Sequence, residues 1–316
     1  MKIVKLTFNY DWPIFRQTPN FSGIWGDYKF IIDDNLIECD FWIIYGDYNL
    51  KADEVLCNKK NIIFISGEGY DTSPKYSKHF LNQFGLIITS QEEIKLNNVL
   101  KTHNANPWFI NKTYDELKEI EPLEKTKLIS IVSSNKVVTE GHKKRVMFVN
   151  ELKKHFGDTL DVFGRGIKDF DDKWNVVAPY KYSIAIENDF CNDYVTEKYF
   201  DCLYSNTLQF YYGCPNLEKY VDSKTFVRIN INNIKEAISI IEKTIKNDEY
   251  EKKKNIINIE KIKSLDRDQF FPFMTTILSK MNNDLSKDKI TLINDVFFEP
   301  KSLKTRISNK LKRFIK

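Results

Sequence analysis

The segment YKYSIAIENDFCNDYVTEKYFD, Tyr180 to Asp201, constrains the fold more than any other part of the chain. It opens with apolar residues at alternate positions, Tyr182, Ile184 and Ile186, which is the period of a β-strand. The polar cluster Glu187-Asn188-Asp189 ends that strand. After Tyr194-Val195-Thr196-Glu197-Lys198, the residues Tyr199, Phe200, Leu203 and Tyr204 recur at helical spacing. A strand, a polar loop and a helix start, in that order, point to an α/β protein. In such proteins ligands bind at the carboxyl ends of the strands. The N–H groups of the helix start favour an anion, and Lys198 adds a full positive charge beside them. Glu197 offers an acceptor for sugar hydroxyls. Together these groups suit a phosphorylated sugar such as a nucleotide-sugar; a capped helix with a solvated Glu–Lys pair is the plainer reading of the same residues.

More motifs follow in order: YYGCP at Tyr211–Pro215 and SKTFVRIN at Ser223–Asn230. With IEN at Ile186–Asn188 and DYVTEK at Asp193–Lys198, the run resembles the signature of the α1,3/4-fucosyltransferases, glycosyltransferase family 10, in their bacterial form. The match is close from Tyr180 to Asn230 and weaker back to about Ile62. Ile186 stands where the family has Phe, and Leu208-Gln209-Phe210 where it has Ile-Pro-Val. Neither departure touches a charged position, so they bear on the sugar bound rather than on the chemistry. The resemblance implies an α/β, GT-B-like fold of two Rossmann-like lobes with a cleft between them. It also implies an inverting transfer of L-fucose from GDP-fucose to a hydroxyl of a GlcNAc- or Glc-containing glycan, in α1,3 or α1,4 linkage. The pathway would be assembly of lipopolysaccharide, capsule or another surface glycan.

A chain of 316 residues, 42% hydrophobic and 14% aromatic, is long and apolar enough for two cores. No apolar run approaches the ~18 residues of a membrane span. The opening MKIVKLTFNYDWP lacks a long apolar stretch and a cleavage site, so no secretory signal is expected. The five cysteines are odd in number and none are in CxxC spacing, which argues for a reducing cytosol and against disulfides or zinc. Among them Cys191 lies in the signature loop, where a small buried hydrophobe is the plainer reading than a reactive thiol. Net charge is +4, yet Lys301 to Lys316 carry 7 Lys or Arg and no acid. Removing these 7 from the 48 Lys and Arg leaves 41 against 44 Asp and Glu, so a nucleic-acid-binding surface is not expected.

Taken in order, Lys2–Phe8, Phe41–Tyr45, Ile62–Ser66 and Leu86–Thr89 read as strands, with an aromatic-rich loop holding Tyr10, Trp12, Phe15, Phe21, Trp25 and Tyr28. A helical, charged stretch ends at Glu121-Pro122. The second half restarts with a strand at Lys127–Ser133, a helix at His142–His155 and a strand at Thr159–Phe163. Beyond the signature come strands at Thr207–Tyr212 and Thr225–Ile229 and helices at Ile234–Lys246 and Phe270–Met281, the last expected to close the body. The expected domains are 1–124, an acceptor-side lobe; 125–283, a nucleotide-sugar lobe; and 284–316, an extension ending in a basic amphipathic helix.

Glycosyl transfer to a hydroxyl needs a base. Glu68, in ISGEG at the end of a strand and between two glycines, is able to face a cleft; Asp71 in the same loop is the reserve, and a solvated turn acid is the plain alternative. The resemblance points to Glu68. It likewise places Arg145 near the donor diphosphate, where a guanidinium fork fits phosphate oxygens. The helix of Arg145 follows the strand end Ser134-Asn135, as a phosphate site should. Lys198 and Arg145 would stabilise the leaving diphosphate, Asn188 and Tyr194 would hydrogen-bond the donor, and Glu197 would take ribose or sugar hydroxyls. Glu187 reads as a structural carboxylate. Trp12 and Trp25 are the candidates for stacking on acceptor sugars.

The DxD triplets Asp169–Asp171 and Asp266–Asp268 follow no buried strand, and His79, His103, His142 and His155 show no ligand spacing. No metal site and no essential cofactor are expected, although Mg or Mn could assist a diphosphate. In the tail, Leu303, Ile307, Leu311, Phe314 and Ile315 alternate with basic residues in the pattern of a helix lying on an anionic membrane. The expected location is therefore the cytoplasmic face of the cell membrane, the expected acceptor an oligosaccharide or lipid-linked glycan. Two alternatives stay open: the same fold using another GDP- or NDP-deoxysugar, and a non-catalytic glycan-binding protein of the membrane surface.

Overall fold

A computed structural model of the chain describes residues 1–8, 12–33, 35–46, 52–69, 76–105, 107–135, 137, 140–281 and 286–294. Tyr10, the reserve base Asp71 and the basic tail 301–316 lie outside the described residues.

The first half gives strands β1 (Lys2–Phe8), β2 (Ile24–Trp25), β3 (Tyr28–Ile31), β4 (Phe41–Tyr45), β5 (Ala52–Cys57), β6 (Ile62–Ile65), β7 (Leu86–Thr89) and β8 (Val99–Lys101), with short helices α1 (Lys78–Leu81) and α2 (Tyr114–Glu119). Seven of the strands form one sheet in the order β2-β3-β1-β4-β6-β7-β8, parallel except for the β2–β3 hairpin. The runs FWIIY and IIFI are buried along their whole length. Such strands, apolar on both faces, belong inside a parallel sheet.

The second half gives β9 (Lys127–Val132), α3 (Glu140–Phe156), β10 (Leu160–Phe163), α4 (Lys173–Val177), β11 (Tyr180–Ile186), α5 (Glu197–Tyr204), β12 (Leu208–Tyr212), β13 (Phe226–Arg228), α6 (Ile234–Lys246), α7 (Glu249–Arg267), α8 (Phe270–Lys280) and β14 (Asp288–Ile293). Its sheet, β10-β9-β11-β12-β13, is parallel throughout. Two parallel-sheet lobes therefore face each other, the α/β GT-B-like arrangement. No helix among the described residues is long and apolar enough to cross a membrane.

The expected domain limits need correction. Trp108, Ile110 and Leu117 belong to the core of the second lobe, so the chain leaves the first lobe well before residue 124. Helix α8, expected in the second lobe, buries Phe270, Phe271, Met274 and Leu278 against Val4, Leu6 and Phe30 of the first. The extension also returns: β14 pairs antiparallel with β5, and Leu292 enters the core around Trp42 and Phe64. Both crossings are set by long-range burial of apolar faces, which periodicity alone does not assign to a lobe.

Candidate active site

Two strand ends build the site. At the end of β6 the Ser66 hydroxyl donates to Thr89 Oγ1 at 2.6 Å, which fixes the strand end to β7. The chain then turns outward through buried Gly67 and exposes Glu68, whose backbone carbonyl accepts from Gln91 Nε2 at 3.2 Å. Gly69 meets the other lobe. A Cβ at that position would lie 2.7 Å from Asp189 Oδ2 and 2.9 Å from Asp189 Cβ, so the lobes approach there because the residue is glycine.

Opposite, β11 ends and Glu187 turns into the protein. Its carboxylate accepts from the Thr196 N–H at 2.9 Å, the Thr196 hydroxyl at 2.6 Å and the Tyr211 hydroxyl at 3.4 Å. Thr196 is the N-cap of α5, and its oxygen accepts from the Lys198 N–H at 3.3 Å. A buried acid thus closes the loop between strand and helix, as the sequence suggested for Glu187.

Lys198 Nζ lies 3.1 Å from Glu197 Oε1 and 3.5 Å from Glu187 Oε2. Burial acts to lower its pKa, but the two carboxylates outweigh burial and hold it above the ordinary lysine value. Burial raises the pKa of Glu187 despite the pull of Lys198. For Glu197 burial is outweighed by Lys198 and Lys173, and its pKa is lowered. The cluster is a cation held between acids, ready to exchange a carboxylate contact for a phosphate oxygen.

Arg145, on α3, donates from Nη1 to Asn188 Oδ1 at 2.7 Å and from Nη2 to Ser134 Oγ at 3.3 Å. Burial lowers its pKa, and its Nε has no hydrogen-bond partner among the described residues. Across the gap the Tyr194 hydroxyl donates to Glu68 Oε2 at 3.3 Å. Burial, reinforced by Glu68, holds the phenol well above its ordinary pKa, so it remains a donor. Between the two loops lies a cavity of about 340 Å³. Glu68, Asn188, Tyr194, Glu197 and Lys198 line it, with Phe8, Trp12, Tyr45 and Phe109 as an aromatic wall.

Most of the residues singled out in the sequence therefore meet at one place. Arg145 stands behind Asn188 and does not itself line the cavity, and Ser134 supports it from the same side. Asn135 packs beside the Gly164–Gly166 turn, where a Cβ on Gly166 would lie 2.3 Å from its Nδ2. Trp12 lines the cavity with the Arg16 guanidinium 4.1 Å from its ring centre. Trp25 does not line it: its ring sits edge-on to Tyr114 at 5.1 Å, and the stacking role expected of it has no support in its position. Burial pushes the Cys191 thiol up, away from thiolate chemistry. Leu208-Gln209-Phe210 lies buried in β12, with Gln209 Nε2 donating to the Tyr199 carbonyl, remote from the cavity lining.

Sequence reasoning missed Thr196, Tyr45 and Phe109. Thr196 had a signal, a threonine just ahead of the first helical turn. Phe109 had none. Its N–H donates at 2.8 Å to Asp201 Oδ1, a fully buried carboxylate of α5 that also pairs with Lys173 at 2.6 Å.

The family model described as glycosyltransferase family 10 (fucosyltransferase) C-term matches residues 122–290. This chain belongs to glycosyltransferase family 10. Among its relatives, GDP-fucose protein O-fucosyltransferase 3 of Danio rerio is 32% identical over 144 residues, 38% of this chain and 31% of that protein. Alpha-(1,3)-fucosyltransferase FucT of Helicobacter pylori is 33% identical over 86 residues, 27% of this chain and 17% of that one. The matches thus span a third or less of these relatives' lengths. A crystal structure of an alpha1,3-fucosyltransferase with GDP is 18% identical with a TM-score of 0.49, covering 90% of this chain and 92% of that one. The matched residues 122–290 include Arg145, Asn188, Tyr194, Glu197 and Lys198.

Proposed function

We propose that this protein is an inverting fucosyltransferase that moves L-fucose from GDP-fucose to a hydroxyl of a GlcNAc- or Glc-containing glycan, in α1,3 or α1,4 linkage, during surface-glycan assembly. The observation that carries the reading is the 3.3 Å hydrogen bond from Tyr194 to Glu68, which brings an exposed acid of one lobe onto the loop of the other lobe that ends at Lys198. The acceptor oxygen attacks the anomeric carbon, Glu68 takes its proton, and the bond to the β-phosphate oxygen breaks. Lys198 and Arg145 neutralise the charge gathering on the departing GDP. Because these cations supply that charge, the reaction needs no essential metal, with Mg or Mn at most assisting the diphosphate. The basic segment 301–316 would hold the protein on the anionic cytoplasmic face of the cell membrane. The alternative of another deoxysugar donor loses its motive, since Leu208-Gln209-Phe210 is buried away from the cavity.

The test is GDP release from GDP-fucose with N-acetyllactosamine-type acceptors. Lys198→Ala is expected to lower kcat by roughly 10²–10³, the usual loss for one transition-state contact. Glu68→Gln is expected to lower it by about 10²–10⁴ while leaving GDP binding intact. Wild-type turnover in both variants would remove the assignment. The relatives named as protein O-fucosyltransferases support a second acceptor class, a Ser or Thr hydroxyl of a polypeptide. Transfer to polypeptide and not to glycan would select it.

A further inference from the structure

The proposed transfer chemistry leaves one feature of the rim unused. Phe190 lies in the donor-side loop, two residues after Asn188, and is 55% exposed. Its ring stacks on Tyr212, with centroids 5.0 Å apart and planes at 27°. One face of the phenyl ring is packed, and the other is held out to water. An aromatic fixed in that way offers a ready flat face to a ligand and gains by being covered.

A cavity lies on each side of this ring. One, of about 410 Å³, sits between the lobes and includes Gln91 and Asp189. The other, of about 430 Å³, sits at the ends of β12 and β13 and includes Asn230, Asn232 and Glu236. Phe190 lines both. The first cavity opens beside the proposed base, because Gln91 holds the Glu68 carbonyl and Asp189 faces Gly69. The two cavities therefore meet at Phe190, and together they form a trough that begins beside the Glu68 loop and ends at Asn232.

Its lining selects a ligand class. Asn232 is exposed and already oriented, its Nδ2 donating to the Tyr212 hydroxyl at 3.2 Å and to Asn230 Oδ1 at 3.3 Å. A flat aromatic face rimmed by carboxamides matches a pyranose, whose C–H face lies on a ring while its hydroxyls meet amides. Charge sets the rest. Glu92, Glu93, Asp189 and Glu236 line the two cavities. The one cation among the described lining residues, Arg228, is held by Glu218 at 2.5 Å and by the carbonyls of Cys214 at 3.1 Å and Pro215 at 2.9 Å. An acidic lining disfavours sialylated or phosphorylated chains.

We propose that this trough binds the outer sugars of a neutral oligosaccharide acceptor, with Phe190 as the stacking platform and Asn232 as the polar contact, while the sugar to be fucosylated lies at Glu68. The proposal rests on the glycan-acceptor reading above. It is tested with Phe190→Ala and Asn232→Ala, and with Phe190→Tyr as the conservative change. Each is assayed on the N-acetyllactosamine disaccharide and on its repeating hexasaccharide at saturating GDP-fucose. For the hexasaccharide, KM is expected to rise about tenfold in Phe190→Ala, the weight of one aromatic contact. The disaccharide KM, kcat and donor hydrolysis by water stay unchanged, and Phe190→Tyr restores the hexasaccharide KM. An equal effect on both acceptors, or none on either, overturns the proposal. A terminally sialylated hexasaccharide that is used as well as the neutral one overturns the charge argument.

If the wild type transfers no fucose at all, the glycosyl-transfer reading fails, and saturation-transfer NMR of the hexasaccharide with the full chain still reads the subsite. Signals on the outer rings that vanish in Phe190→Ala support it. A wild type that gives no outer-ring signal, or signals unchanged in Phe190→Ala, overturns it.

Discussion

Glu187→Ala tests whether a buried acid holds the donor-side loop in place. The substitution removes two hydrogen bonds from Thr196, at 2.9 and 2.6 Å, to a charged acceptor. Each bond of that kind contributes about 1.5–3 kcal/mol. Part of the loss is offset, because a carboxylate whose pKa burial has raised is no longer kept ionised inside the protein. Lys198 keeps Glu197 as a partner at 3.1 Å, so no cation is stranded. The net loss comes to about 3 kcal/mol, or roughly 4–5 °C in melting temperature for a chain of 316 residues. Calorimetry on GDP should show affinity about tenfold weaker, since the carboxylate that anchors the N-cap Thr196, and through it Lys198, is lost. Glu187→Gln separates geometry from charge. Its carboxamide oxygen accepts from the Thr196 N–H, and its NH2 donates to the Thr196 oxygen. It should melt at or above the wild-type temperature at neutral pH.

The pH dependence has a definite sign. A raised carboxyl pKa means that the unfolded chain releases this proton first, so stability falls as pH rises from the ordinary value of 4.5 toward the folded value. Glu187→Gln should remove that slope. Wild-type melting and GDP affinity in Glu187→Ala would refute the reasoning, leaving Thr196 and Lys198 positioned by something else.

Buried His103 should set part of the acid limb. Its Nδ1 accepts from the Ala105 N–H at 3.1 Å, and burial lowers its pKa from 6.5 to about 3. Between those values the unfolded chain binds the extra proton, so stability is lost as pH falls through that window, by about 1.4 kcal/mol per pH unit; urea melts of His103→Gln should show a shallower slope. Gly69→Ala puts a methyl 2.7 Å from Asp189 Oδ2 and should force the two loops apart, lowering kcat about tenfold with GDP affinity unchanged. An effect on GDP affinity alone would contradict it. Arg145→Lys cannot span Asn188 and Ser134 as the fork does, and calorimetry should show GDP bound roughly tenfold more weakly.

Much of the site was legible because its donor half is local. Glu187 to Lys198 are consecutive in sequence, and strand-loop-helix periodicity alone places Asn188, Tyr194, Glu197 and Lys198 at one strand end. Arg145 and Glu68 were found through the family resemblance, and each stands at the end or start of a regular element. Three features escaped. The polar helix α7 has too weak an apolar face to be read from its pattern, although Ile257 and Leu265 are buried. Strand β14 exists because β5 pairs with it from the other end of the chain. Phe109 enters the cavity wall through Asp201, 92 residues away.

The strands of the two buried sheet centres, the character of each core run and the chemistry of the Glu187–Lys198 loop were properties of the sequence, because hydrophobic period and helix-start signals act over a few residues. Which lobe owned α8 and β14, which tryptophan faced the cavity and how Gly69 let an acid from one half meet the cations of the other were decided only in three dimensions. Those choices depend on which apolar surfaces exclude water together and which atoms are small enough to touch, and neither is written in any short stretch of the chain.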